Sequence, residues 1–145
     1  MQTKTKRVQP RRVRDYMTTV LRTVPADMEI MRAVGLLVEE DLSGFPVVNE
    51  SGELLGMLTE RDIIRVGIQA GYFDEIVGSV ADFMTRKLET VHPDDNLMDV
   101  AEHFAESSHR RFPVVEDGRL VGLLCRRDVL RALTDSAWFS GGEDG

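Results

Sequence analysis

GFPVVNESGELLGMLTERDIIR (44–65) returns later in the chain as RFPVVEDGRLVGLLCRRDVLR (111–131). Phe-Pro-Val-Val, a glycine at 56 and 122, and a closing Arg-Asp stand in matching places, while Thr59 becomes Cys125. The repetition extends outward. VRDYMT (13–18) matches VADFMT (80–85), and TVPADM (23–28) matches VHPDDN (91–96). Self-similarity of this kind marks one supersecondary unit used twice. The units run 13–66 and 80–132, with a basic arm at 1–12, a connector at 67–79 and a tail at 133–145.

Both units share one coarse plan. A short helix leads into an extended segment ending at Pro25 or Pro93, because proline forces the preceding residue out of helical geometry. A helix follows. Asp27 is placed to cap the first, and Ile30, Ala33, Val34, Leu37 and Val38 fall at helical spacing. Leu97, Val100, Ala101, Phe104 and Ala105 repeat the pattern. Two β-rich runs come next, joined by NESGE in the first unit and by EDGR in the second, where Asp117-Gly118 predicts a tight hairpin. A last helix starts after Thr59 or Cys125. A unit this small buries only about 60% of its unfolded surface, so two packed together form the stable body.

Composition narrows the classes. Of 145 residues, 42% are hydrophobic and 30% charged, a globular balance. No apolar run approaches the roughly 20 residues of a spanning helix, and the basic N-terminus has no apolar stretch behind it, as a secretory signal requires. A single cysteine cannot form an internal disulfide, which suits a reducing compartment. The expected location is cytoplasmic. The net charge of −7 argues against nucleic acid or an anionic membrane as the partner of the whole surface. Residues 109–131 nevertheless gather six arginines against three acids. The three histidines and Cys125 show no zinc spacing, and no phosphate-binding loop or dinucleotide-binding glycine pattern is present, so neither metal nor catalysis is expected.

Two units with Phe-Pro-Val-Val, then Gly-h-h-Thr-x-x-Asp (h, hydrophobic) and a closing helix, resemble a tandem pair of CBS domains, a Bateman module. The resemblance covers nearly all of 13–132. It implies an α/β (α+β) fold: two β-α-β-β-α units packed as a pseudo-twofold pair, which usually associates again as a homodimer. It also implies clefts between units that bind adenine nucleotides or other adenosyl ligands. The role is regulatory rather than enzymatic, with no cofactor and an unknown effector protein as the output.

The resemblance assigns residues. Thr59 and Asp62, with Cys125 and Asp128, match the ribose-binding positions. An ionised carboxylate accepts hydrogen bonds only, and adjacent ribose hydroxyls offer it two donors. Arg61 and Arg127 precede those acids at helix starts, where anions are favoured. With Ser43, Arg110 and Arg111 they match phosphate-reaching positions. Val20, Leu21, Val24, Gly44 and Phe45, with Leu88, Val91 and Phe112, match segments that flank the base. A structural reading stands beside this. Thr59-x-x-Asp62 is also a capping box, and repetition argues against it, since Cys125 caps poorly yet Asp128 stays. Arg126 and Arg131 read as solvated surface. A thiol is a weak hydrogen-bonding group, so the Cys125 side is expected to lose a contact worth on the order of 1 kcal/mol, giving two unequal sites, with the more basic second cleft compensating through phosphate.

Three functions follow as expectations. The first is a sensor of AMP, ADP, ATP or a related adenosine compound that signals to a partner. The second is a ligand-free dimerisation or docking module. The third, nucleic-acid binding through the basic arm, is disfavoured by the charge. Trp138 and Phe139 in the tail are expected to pack on the same subunit or across a dimer.

Overall fold

Short apolar, β-rich runs joined by polar turns over 44–59 and 111–125 form two antiparallel hairpins in the computed structural model, which describes residues 11–70 and 76–135. Strand β1 (Gly44–Val48) pairs with β2 (Leu54–Thr59), Gly44 opposite Thr59 and Phe45 opposite Leu58. Strand β3 (Arg111–Glu116) pairs with β4 (Arg119–Cys125). Asp117 and Gly118 both adopt positive φ, 54° and 79°, the geometry a two-residue hairpin turn needs. The expected leading strand of each unit is reduced to one parallel bridge, Val24 to Val47 and Val91 to Val114.

Helix α1 (Ile30–Glu39) follows the first bridge, and α2 (Glu60–Ala70) follows β2 without a break. Helix α3 (Val80–Phe83), α4 (Leu97–Glu106) and α5 (Arg126–Leu133) complete the order, with a short 3-10 helix at Val13–Asp15. Ile30, Ala33 and Leu37 of α1 are buried, as are Leu97, Val100 and Phe104 of α4. The cap of α1 differs from the expectation. Glu29, not Asp27, accepts from the Met31 and Arg32 amides, both at 3.1 Å. Asn96 does the same for α4. A long acidic side chain reaches the first turn from the position directly before it, so the shorter Asp27 is too far upstream.

The compact units are not the sequence repeats. One, the Asp62 unit, comprises 21–70, 76–89 and 117–120; the other, the Asp128 unit, comprises 11–20, 90–116 and 121–135. The leading segment of each repeat therefore sits in the other repeat's core. Val80, Phe83 and Met84 join Val24, Ile30, Phe45, Leu58 and Ile63. Val13 and Tyr16 join Leu97, Phe104, Phe112 and Leu124.

Backbone accounting explains the exchange, since the first amides of a helix have no partner inside it. In the Asp62 unit the Val80 amide donates to the Met28 carbonyl (2.8 Å), Ala81 to Ala26 (2.9 Å), and Ile30 to Gly78 (2.9 Å). In the Asp128 unit Val13 donates to Asp95 (3.0 Å), Arg14 to Pro93 (2.8 Å), and Leu97 to Arg11 (2.8 Å). Each short helix and the start of the other repeat's long helix satisfy each other's amides. The arm at 1–10, residues 71–75 of the connector, and the tail with Trp138 and Phe139 lie outside the described residues. Of the connector, Ile76 packs against the Asp62 core.

Candidate functional site

Each hairpin delivers its last strand directly into a helix, which puts an acid at the third helical position of α2 and α5. Asp62 and Asp128 are the two buried charged residues among those described, at 5% and 7% exposure. A buried carboxylate needs donors. Asp62 Oδ2 accepts from the Thr59 amide (3.0 Å) and the Thr59 hydroxyl (2.9 Å). Its Oδ1 accepts from Arg65 (3.0 Å) and from the Thr85 hydroxyl (2.9 Å). Asp128 Oδ2 accepts from the Cys125 amide (2.8 Å), and Oδ1 from Arg131 (2.8 Å).

This geometry revises the capping argument. The acid of the box bonds the backbone amide of the residue three before it, and an amide is present whether that residue is Thr or Cys. Retention of Asp128 beside Cys125 is thus accounted for by the helix start itself. Arg131, expected on a solvated face with salt bridges, is exposed and pairs with Asp128, and it also donates to the Tyr16 carbonyl at 3.1 Å. Arg65 holds the matching place beside Asp62. Both pairs follow from Asp-x-x-Arg, an i,i+3 spacing visible in the sequence of both repeats. Thr85 was legible only as the last letter of the repeated Met-Thr.

The phosphate-matched residues gather beside these acids. The Glu60 amide donates to the Ser43 carbonyl (2.9 Å), which together with the Gly44–Thr59 register sets Ser43 and Gly44 against the start of α2. The Arg126 amide donates to the Arg110 carbonyl (3.2 Å) in the same way at α5. Arg61, Arg110 and Arg127 are exposed and Arg111 is partly buried. Burial, reinforced by the Asp128 charge, pushes the Cys125 thiol above its ordinary range, and the Arg111 guanidinium pulls the other way.

The base-matched residues divide. The side chains of Phe45 (1% exposed), Phe112 (0%) and Val24 are core and leave only backbone for a ligand. Phe45 and Phe112 lie in runs of three successive buried strand residues, and Phe112 packs on Phe104 with ring centroids 4.5 Å apart. Val20 is 91% exposed and falls in the Asp128 unit, whereas Leu21 and Val24 fall in the Asp62 unit. Leu88 and Val91 are partly buried.

Histidine spacing suggested no metal, but folding draws His92, Asp94 and Glu116 together, with donor atoms within 4.8 Å of one another. Asp94 is already held by Arg14 at 2.7 Å, which places a cation where a metal ion would bring its own charge.

The chain belongs to the CBS domain family, whose model matches residues 13–68 and again 80–135. The uncharacterised protein MJ1225 of Methanocaldococcus jannaschii is 31% identical over 83% of this chain, which spans 42% of that longer relative. Among solved structures, CBSX2 of Arabidopsis thaliana in complex with AMP is 33% identical, with a TM-score of 0.74 over 85% of this chain and 96% of that one. The CBS domain pair of MJ0100, in complex with 5′-methylthioadenosine and S-adenosyl-L-methionine, is 27% identical, with a TM-score of 0.72 over 87% and 98%. The fold is therefore that of a CBS pair, an α+β arrangement of small antiparallel sheets and helices. No helix among the described residues is long and apolar enough to cross a membrane.

Proposed function

We propose that this chain is a cytoplasmic regulatory module that binds an adenosine-containing metabolite and passes the bound state to a partner protein. One observation carries the reading: each repeat builds a buried carboxylate at a helix start, beside exposed arginines, in a chain 33% identical to a CBS pair that holds AMP. A buried carboxylate suits vicinal ribose hydroxyls, which are donors. The exposed Arg61, Arg110 and Arg127 suit phosphate, since guanidinium groups clamp anions through paired hydrogen bonds. A ligand of this kind regulates by differential affinity, favouring whichever conformation it binds better. Nothing in this mechanism requires catalysis.

Calorimetric titration of the whole chain with AMP, ATP and S-adenosylmethionine tests the reading. Saturable heat with any of them is expected; no heat with all three overturns it.

A second reading concerns self-association. Val38 and Ile64 are exposed apolar residues that line a groove between α1 and α2, with Val34, Leu42 and Ile63 beneath. We assign this face to a second copy of the chain. Sedimentation equilibrium is expected to show a dimer that Ile64→Asp converts to monomer. A monomeric parent protein excludes it.

A further inference from the structure

An ionised carboxylate offers about four acceptor positions. Asp62 receives four donors from its own unit: the Thr59 amide, the Thr59 hydroxyl, Arg65 and Thr85. Among the described residues Asp128 receives two, the Cys125 amide and Arg131. The difference has two sources. Cys125 supplies no hydroxyl, and among the described residues Thr18, the counterpart of Thr85, sends no hydroxyl to Asp128. Both threonines make the same paired backbone bonds, Thr85 with Met57 and Thr18 with Leu123. Only Thr85 turns its side chain to the acid.

Open acceptor positions on a buried carboxylate are costly unless a donor fills them. We propose that Asp128 is the carboxylate open to a ligand's vicinal hydroxyls, and that Asp62 is closed to them by its own chain, with Thr85 as the closing residue. This rests on the adenosine reading above and gives the Thr59-to-Cys125 change the opposite effect on the ribose contact from the loss expected. The missing hydroxyl does not weaken the second site; it leaves acceptor positions on the acid open. A ligand at Asp62 has to displace an existing bond, so its hydroxyls gain little there. A ligand at Asp128 adds bonds to a charged acceptor.

The test uses the full chain with AMP as probe. In the unaltered protein, AMP is expected to saturate one site and slow alkylation of Cys125 by iodoacetamide about tenfold when present at ten times its dissociation constant, because Cys125 adjoins Asp128. The elevated thiol calls for alkylation at alkaline pH, and this readout needs no substitution that threatens folding. Asp128→Asn is expected to weaken AMP about tenfold or more, the factor carried by a lost hydrogen bond to a charged group, whereas Asp62→Asn changes it less than twofold. Thr85→Val frees a position on Asp62 and is expected to raise the stoichiometry from one to two. AMP binding that leaves Cys125 unprotected, or that is lost in Asp62→Asn and kept in Asp128→Asn, overturns this inference and leaves the adenosine reading standing. Absence of binding by AMP, ATP and S-adenosylmethionine alike overturns both.

Discussion

Arg131 donates to the backbone carbonyl of Tyr16 at 3.1 Å while the same nitrogen holds Asp128 at 2.8 Å. One guanidinium thus joins the closing helix of a repeat to a segment that precedes it by more than a hundred residues. Among the described residues Arg65 has only the Asp62 half of this arrangement. Arg131→Ala is expected to cost about 1–2 kcal/mol, and Arg65→Ala less than half of that, since Asp62 keeps three other donors. Urea unfolding of the two variants measures the difference; equal costs would show that the Tyr16 contact contributes nothing.

The acids themselves should rank the other way. Asp62→Ala strands four donors and is expected to cost about 3–5 kcal/mol, the range for breaking a buried charged network. Asp128→Ala strands two and is expected to cost about 1–3 kcal/mol. Denaturation midpoints for the pair check the order.

Gly56 and Gly122 stand where the strands meet the exchanged segments. A Cβ at 56 would lie 2.7 Å from the Thr85 carbonyl oxygen, and one at 122 would lie 2.8 Å from the Met17 sulfur and 3.0 Å from the Thr18 carbonyl. A methionine end can move and a backbone carbonyl cannot without shifting its chain. Gly56→Ala is expected to cost about 2–3 kcal/mol and Gly122→Ala about 1–2 kcal/mol. Thermal melts in which Gly56→Ala is neutral would contradict the close approach.

Glu29→Ala removes the acceptor for two amides of α1 and is expected to cost about 1 kcal/mol. Asp27→Ala should stay within about 0.5 kcal/mol. A larger loss at Asp27 would return the cap to that residue.

Tyr16 donates its hydroxyl to Asp135 at 2.5 Å, and burial, then this bond, raises its pKa. The folded state therefore holds the phenol proton more tightly than the unfolded chain does. The stability this contributes is complete below the unfolded value of about 10 and is lost as pH rises through the folded value. Tyr16→Phe is expected to cost about 1 kcal/mol at neutral pH, with the gap narrowing above about pH 10. A gap independent of pH up to the alkaline limit would exclude the ionisation.

The repeat, the Asp117-Gly118 turn, the start of α2 and α5, and the buried faces of α1 and α4 except for the exposed Val38 and Ala105 were legible in the sequence. Each depends on residues within a few positions of one another, where spacing maps directly onto geometry. Arg65 and Arg131 carried the same kind of local signal, through Asp-x-x-Arg in both repeats, although arginine-rich surface is the commoner meaning of such residues. Glu29 was missed because Asp is the more frequent cap and one stood two residues earlier.

Family membership follows from the order of residues along the chain, because Phe-Pro-Val-Val, the glycine and the Arg-Asp recur in one linear frame. Which segment fills which core was settled only on folding. Val13 and Val80 satisfy amides and bury apolar surface beside residues more than fifty positions away, and no spacing rule reaches that far. The inequality of the two acids has the same origin. The Thr59-to-Cys125 change was legible in the sequence, whereas the Thr85 hydroxyl arrives at Asp62 from another part of the chain.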